Sequence, residues 1–223
     1  MPDLDLPQEV VTSIIGRDAY TTAAIIVPYC NVNGELHLLF EQRASGIVQG
    51  GEICFPGGVF EASKDRSTKD TAVRETCEEL GLEKNQIVMD GYIGTVMALR
   101  GVVVDCFLAR LTIGSIADCV IDNNEVGRLF TIPVSHFVEN HPRHYPLRTE
   151  VKPYIIEPDG TMTVLFPAKK LGLPEKYWHP WGSRDHRVLL YPTPYGPVWG
   201  LTAEIVLELV RLLVKKDTSA LQG

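Results

Sequence analysis

Hydrophobic positions along this chain change their period several times, and each change marks an element. Ala23–Tyr29 (AAIIVPY) is a β-branched run that predicts a strand. Asn31-Val32-Asn33-Gly34 supplies turn chemistry, and Glu35–Gln42 (ELHLLFEQ) predicts a second strand, so the pair reads as a hairpin. Residues 44–58 are rich in glycine and close on Phe55-Pro56-Gly57-Gly58, a loop pattern. From about Lys69 to Leu80 the period becomes helical, with Gly81 as its stop. Two more strands are expected near Gln86–Val96 and Val102–Leu111. Residues 123–137 should hold a short strand ending at Pro133 and then a helical turn. Leu201–Lys216 predicts a closing helix, with Glu204, Glu208, Arg211 and Lys215 at helical spacing and Ile205, Leu209, Leu212 and Leu213 on other faces. Residues 1–20 read as a short helix and a lead-in.

Between these, residues 140–198 hold most of the prolines together with Trp178 and Trp181, and show one clear strand pair, Tyr154–Glu157 and Thr161–Phe166, around Pro158-Asp159-Gly160. The apolar residues there are too interrupted for an independent core. The expected organisation is therefore one domain over 1–223 with a large insertion at about 140–198. Apolar surface on that insertion makes a homodimer an expectation for the assembly.

Composition narrows the class. Of 223 residues, 45% are apolar and 22% charged, an ordinary globular mixture able to bury a core without staples. A net charge of −7 argues against a nucleic-acid partner, which would need clustered Lys and Arg. An acidic protein still binds phosphate when a divalent cation supplies the positive charge. Cys30, Cys54, Cys77, Cys106 and Cys119 are scattered and form no CxxC pair, which predicts reduced thiols in a cytoplasmic protein. The opening MPDLDLPQEVV has no basic segment followed by an apolar run, and no apolar stretch approaches membrane-spanning length, so neither a signal peptide nor a membrane partner is expected.

The chemistry concentrates on one helix. At about 100° per residue, Ala72, Val73, Thr76, Cys77 and Leu80 share one arc. Glu75, Glu78 and Glu79 share the opposite arc, with Arg74 beside them. Three like charges this close cost helix stability, and a hard divalent cation reverses that cost. A lone Glu-Glu pair is ordinarily a solvated face. Here it comes with a Gly-Gly turn before the helix, REx2EE within it and a glycine after it.

That combination resembles the Nudix box, Gx5Ex7REUxEExGU with U aliphatic, through Arg74, Glu75, Glu78, Glu79, Gly81 and Leu82. Thr76 stands where an aliphatic residue is usual. Arg66 occupies the acidic position eight residues before Arg74, Asp65 lies one residue earlier, and the interval from Gly58 to Arg74 is two residues longer than usual. A lengthened loop with an acidic residue nine places before the arginine resembles the coenzyme A diphosphatase subgroup, whose upstream pattern LLTxR[SA]x3Rx3Gx3FPGG is matched by Arg43-Ala44 and GEICFPGG at 51–58. Ile47-Val48 occupies the region of its second arginine. Asn124-Glu125-Val126, Phe130–Val134 and Val198–Ala203 also resemble segments of this subgroup.

The resemblance implies an α/β fold, a Nudix-type α/β/α sandwich with a mixed β-sheet and a C-terminal helix. It implies Mg²⁺ or Mn²⁺ held by Glu75, Glu79 and Glu78 with the Gly57 carbonyl, and Arg74 orienting a carboxylate. Glu78 and Glu125 are the alternatives for the general base. Arg43, Gly58 and Phe55 would meet a small nucleotide-like substrate. The implied reaction is hydrolysis of coenzyme A or acyl-coenzyme A to phosphopantetheine and adenosine 3′,5′-bisphosphate. Diphosphatase action on another nucleoside diphosphate conjugate, and a non-catalytic nucleotide sensor, are the competing readings.

Overall fold

A computed structural model describes residues 16–99 and 101–220, with the side chains of 216–220 excepted. The helix expected near the N-terminus falls mainly on residues 1–15, outside the described residues; Arg17–Ala19 form one 3₁₀ turn. The chain divides into two compact units, residues 1–142 with 191–223, and residues 143–190.

The larger unit is built on a mixed sheet. The hairpin of β1 (Thr21–Val32) and β2 (Glu35–Arg43) pairs antiparallel around the predicted turn. The glycine-rich stretch read as loop contains two short strands, β3 (Ile53–Cys54) and β4 (Gly57–Val59), which pair with β2 and β1. Helix α1 (Thr68–Leu80) follows, then β5 (Ile87–Ala98) and β6 (Val102–Leu111) as an antiparallel pair. β6 runs parallel to β1, which makes the sheet mixed. β7 (Val126–Pro133) lies against β2 and leads into α2 (Val134–Glu139).

Alternation on β2 separates two cores, because neighbouring side chains on a strand point to opposite faces. Leu39 joins Ala24, Ile26, Ala109 and Leu111 beneath Ala72 and Leu80 of α1. Phe40 points to the other face and packs on Phe55, Phe130 and Phe137 of α2. β2 is thus covered on both sides, and its Leu38–Glu41 segment is buried throughout.

The smaller unit contains β8 (Arg143–Val151), β9 (Tyr154–Ile156), β10 (Met162–Val164) and β11 (Trp181–Tyr191, whose last residue lies in the larger unit). β9 and β10 form the hairpin expected from the sequence. β8 and β11 form a second antiparallel pair that was not expected, since Pro146 interrupts the first of them. Trp178 donates to the Leu173 carbonyl, and Trp181 meets Phe166 and Tyr177 edge-on or tilted, so both tryptophans pack within this unit. The chain ends in α3 (Gly200–Ala220), back in the larger unit. Among the described residues no helix is long and apolar enough to cross a membrane, and the five cysteines are all free.

Candidate metal and substrate site

Helix α1 is punctuated at both ends by its own sequence. Ser67 caps the first turn by accepting from the Asp70 N–H, and Gly81 ends the helix in the left-handed conformation at φ 64. Its amphipathicity has an unexpected consequence. One arc packs on the sheet as predicted, but the opposite arc is not a solvated face. β4 lies against it, so Glu79 is 2% exposed and Glu75 is largely covered, while Glu78 reaches solvent. The Glu79 Oε2 accepts from the Gly57 N–H at 2.9 Å.

Both glycines of the turn are required by contact. Gly57 has φ 154, and a Cβ there would lie 2.3 Å from the Ala24 carbonyl oxygen. A Cβ on Gly58 would meet the Glu75 carboxylate at 2.4 Å. There the neighbour is the far end of a flexible side chain, so Gly58→Ala should displace Glu75 and leave the backbone in place. We expect a drop of roughly 10²-fold in kcat/KM, the scale of an ångström's misplacement, with thermal stability changed by less than about 1 kcal/mol. Unchanged turnover would remove Glu75 from the site.

Arg74 organises the rest. Its Nε and Nη2 each donate at 2.9 Å to the two oxygens of Asp65, while Nη1 donates to Glu75 at 2.8 Å and Glu78 at 3.1 Å. Asp65, nine places before Arg74, is therefore the acidic partner that the lengthened loop brings in, and Arg66 is not. Thr71 adds a third side-chain donor to Asp65. Together these hold the Asp65 carboxyl far below the usual carboxylate range, Arg74 being the largest cause.

Glu125 comes from the loop before β7. Its carbonyl accepts from Ala44 N–H at the end of β2, and the same loop is tied to the end of α1 by Asp122 N–H donating to the Glu79 carbonyl. Burial is the main cause that raises Glu41, Glu75 and Glu79, and the charge of Glu125 adds to each as the smallest cause. Arg43, at the end of β2, donates its Nε to the Val48 carbonyl at 3.2 Å. Phe55 is 5% exposed and stacked on Phe40 at 4.7 Å, so the residue expected at the substrate is placed in the core beneath the turn. His136 faces the Pro192 carbonyl.

Glu41 on β2 was not anticipated. It is 1% exposed, on the α1 face of the sheet. Burial raises its carboxyl, and Cys54, whose own thiol is pushed up by burial, donates to its Oε1 at 3.2 Å. Its Oε2 has no hydrogen-bond partner among the described residues. Glu79 is raised first by burial and next by the charge of Glu41, against the Gly57 N–H that favours its ionised form. The sequence carried a signal: a carboxylate closing a run of buried apolar residues in a strand covered on both faces.

The donor set suits a hard divalent cation in its chemistry, being carboxylate oxygen from Glu75, Glu78 and Glu79 with an orphaned buried carboxylate oxygen beside them. Among the described residues no group of three or more acidic, histidine or cysteine side chains is arranged to hold a metal ion. Glu75 instead turns to Arg74.

Comparison with known proteins gives the family. The NUDIX domain family model matches residues 19–153. Nudix hydrolase 3 of Caenorhabditis elegans is 28% identical over 55% of this chain and 51% of its own length. The human mitochondrial coenzyme A diphosphatase NUDT8 is 30% identical over 56% of this chain and 53% of its own. The chain thus spans about half the length of these curated relatives. A crystal structure of a C. elegans Ap4A hydrolase binary complex aligns with a TM-score of 0.43 at 23% identity, covering 51% of this chain and 80% of that one.

Proposed function

The chain belongs to the Nudix domain family, and from that premise we propose that it is a divalent-cation-dependent diphosphatase acting on a small nucleotide-like substrate, coenzyme A or an acyl-coenzyme A foremost. The observation that carries the reading is the buried Glu79 carboxylate held on the Gly57 N–H, with Glu75 fixed beside the same turn by Arg74. Glu79, Glu75 and Glu78 with the Gly57 carbonyl would hold Mg²⁺ or Mn²⁺. When bound, the cation neutralises the diphosphate and orients water for attack on phosphorus.

The protein's own contribution is positional, as phosphoryl-type chemistry requires. The Asp65–Arg74 pair fixes the direction of Arg74, and Arg74 fixes Glu75 and Glu78. Glu78 and Glu125 are the exposed carboxylates to which we assign proton removal from water. Arg43 is assigned to substrate phosphate, a role suited to a guanidinium fork.

Coenzyme A is favoured by the GEICFPGG turn and by relatives that carry the name coenzyme A diphosphatase. One observation favours another nucleoside diphosphate conjugate: Val48, in the region of the subgroup's second arginine, is 77% exposed and cannot bind phosphate. A panel of coenzyme A, dinucleotides and nucleotide sugars with Mg²⁺ decides between them. We expect coenzyme A to yield phosphopantetheine and adenosine 3′,5′-bisphosphate. Turnover of a dinucleotide with none of coenzyme A would transfer the assignment, and no turnover of any member would favour a nucleotide sensor.

A further inference from the structure

Glu41 stands apart from the other carboxylates of the site. It comes from the sheet and not from α1, and it is almost fully buried at 1% exposure. One of its oxygens has a single thiol donor at 3.2 Å, and the other has no hydrogen-bond partner among the described residues. A thiol is a weak donor. A buried carboxyl so poorly satisfied is costly unless a proton or a cation completes it. Its environment is also anionic, since Glu79 and Glu125 act on it or are acted on by it. Arg43 is the cationic side chain that acts on Glu41, and it is engaged with the Val48 carbonyl through its Nε. A buried neutral side chain would fill the same space in β2 at less cost, so the packing of the strand does not explain a glutamate there.

We propose that Glu41 is a further ligand of the divalent cation, adding a sheet-borne carboxylate to those of α1 through its unpartnered Oε2. The inference rests on the metal-dependent reading of the site given above and names a residue outside the helix. Cys54 then has a positioning role: its thiol holds Oε1 and leaves Oε2 for the ion.

The test is direct titration of the full 223-residue chain with Mn²⁺, followed by electron paramagnetic resonance of the free ion, so that no turnover is needed. Wild type, Glu41→Gln, Glu41→Leu and Glu79→Gln are compared, each with its melting temperature without metal. We expect Glu41→Gln to weaken Mn²⁺ binding by at least about tenfold, a loss that even groups one step removed from an ion commonly produce. Its metal-free melting temperature should equal or exceed that of wild type, because a costly buried carboxyl is gone, and a purely structural role would lower it. Wild-type Mn²⁺ affinity in Glu41→Gln, with binding lost in Glu79→Gln, would overturn this inference and leave the helix site standing. Wild-type affinity in both would overturn the site itself. If neither Glu41→Gln nor Glu41→Leu folds, Glu41 is a structural residue and the inference fails.

Discussion

Glu79→Gln should lower kcat by roughly 10³-fold or more while the fold persists, since removal of a carboxylate proposed to hold the cation would forfeit several kcal/mol of charge stabilisation and each 1.36 kcal/mol is a factor of ten. The substitution is nearly isosteric. The glutamine carbonyl still accepts from the Gly57 N–H, so the turn keeps its contact with α1. The lost charge is one that the metal-free protein tolerates poorly, because burial and the neighbouring Glu41 both oppose it. Stability without metal should therefore hold or rise, and the rise in melting temperature on adding Mn²⁺ should disappear. Steady-state kinetics with paired thermal melts check both. Near-wild-type turnover would place the metal elsewhere, and a collapse of the metal-free fold would make Glu79 structural.

Asp65→Asn should cost about 3 kcal/mol of stability, the lower end of what breaking a buried ion pair removes, or roughly 6–12 °C in melting temperature for a chain of this size. Two parallel hydrogen bonds of 2.9 Å join its carboxylate to Arg74, and the carboxylate side chain is 1% exposed against 15% for the arginine. Asparagine offers one acceptor and turns an N–H toward the guanidinium. Activity should fall as well, because Arg74 loses the partner that fixes it beside Glu75 and Glu78. The acid limb supplies an independent check. The folded carboxyl is held far below its ordinary value of 3.8, so its stabilisation is complete above that value and is lost as pH falls below it. Wild type should lose stability steeply below about pH 4, and the asparagine variant should lack that component. Equal melting temperatures at neutral pH, or identical acid limbs, would show that the pair does not support α1.

Much of the fold was legible because local chemistry and tertiary packing agree. The β1–β2 hairpin, β6, the end of β7 at Pro133 and the closing helix follow from periodicity and turn residues. α1 was legible to within a residue because Gly81 stops it and its core arc repeats cleanly; the Ser67 cap at its start is seen in the structure. The departures share a cause, namely pairing with partners distant in sequence. β3 and β4 are two and three residues long within a glycine-rich stretch and exist because β2 and β1 supply their hydrogen bonds. β8 carries Pro146, β11 carries Arg184, Asp185 and Arg187 in place of an apolar run, and their register is set by each other.

At the site, REx2EE marks the helix and the carboxylates proposed for the cation, but periodicity puts Glu79 only on the arc opposite the core and cannot show that β4 covers it. Phe55, which the resemblance implies would meet substrate, is turned inward by its stack on Phe40. Glu41 is not legible as a site residue because it follows Leu38-Leu39-Phe40, a run that reads as core, and only the alternation of β2 puts it on the α1 face beside Leu39.

Diffraction from crystals soaked in Mn²⁺ tests the central claim most directly. An anomalous peak should stand within coordination distance of Glu79 and Glu75 beside Gly57, and chelation should abolish hydrolysis. Carboxylates without an ion in those crystals, with turnover persisting in excess chelator, would contradict the account.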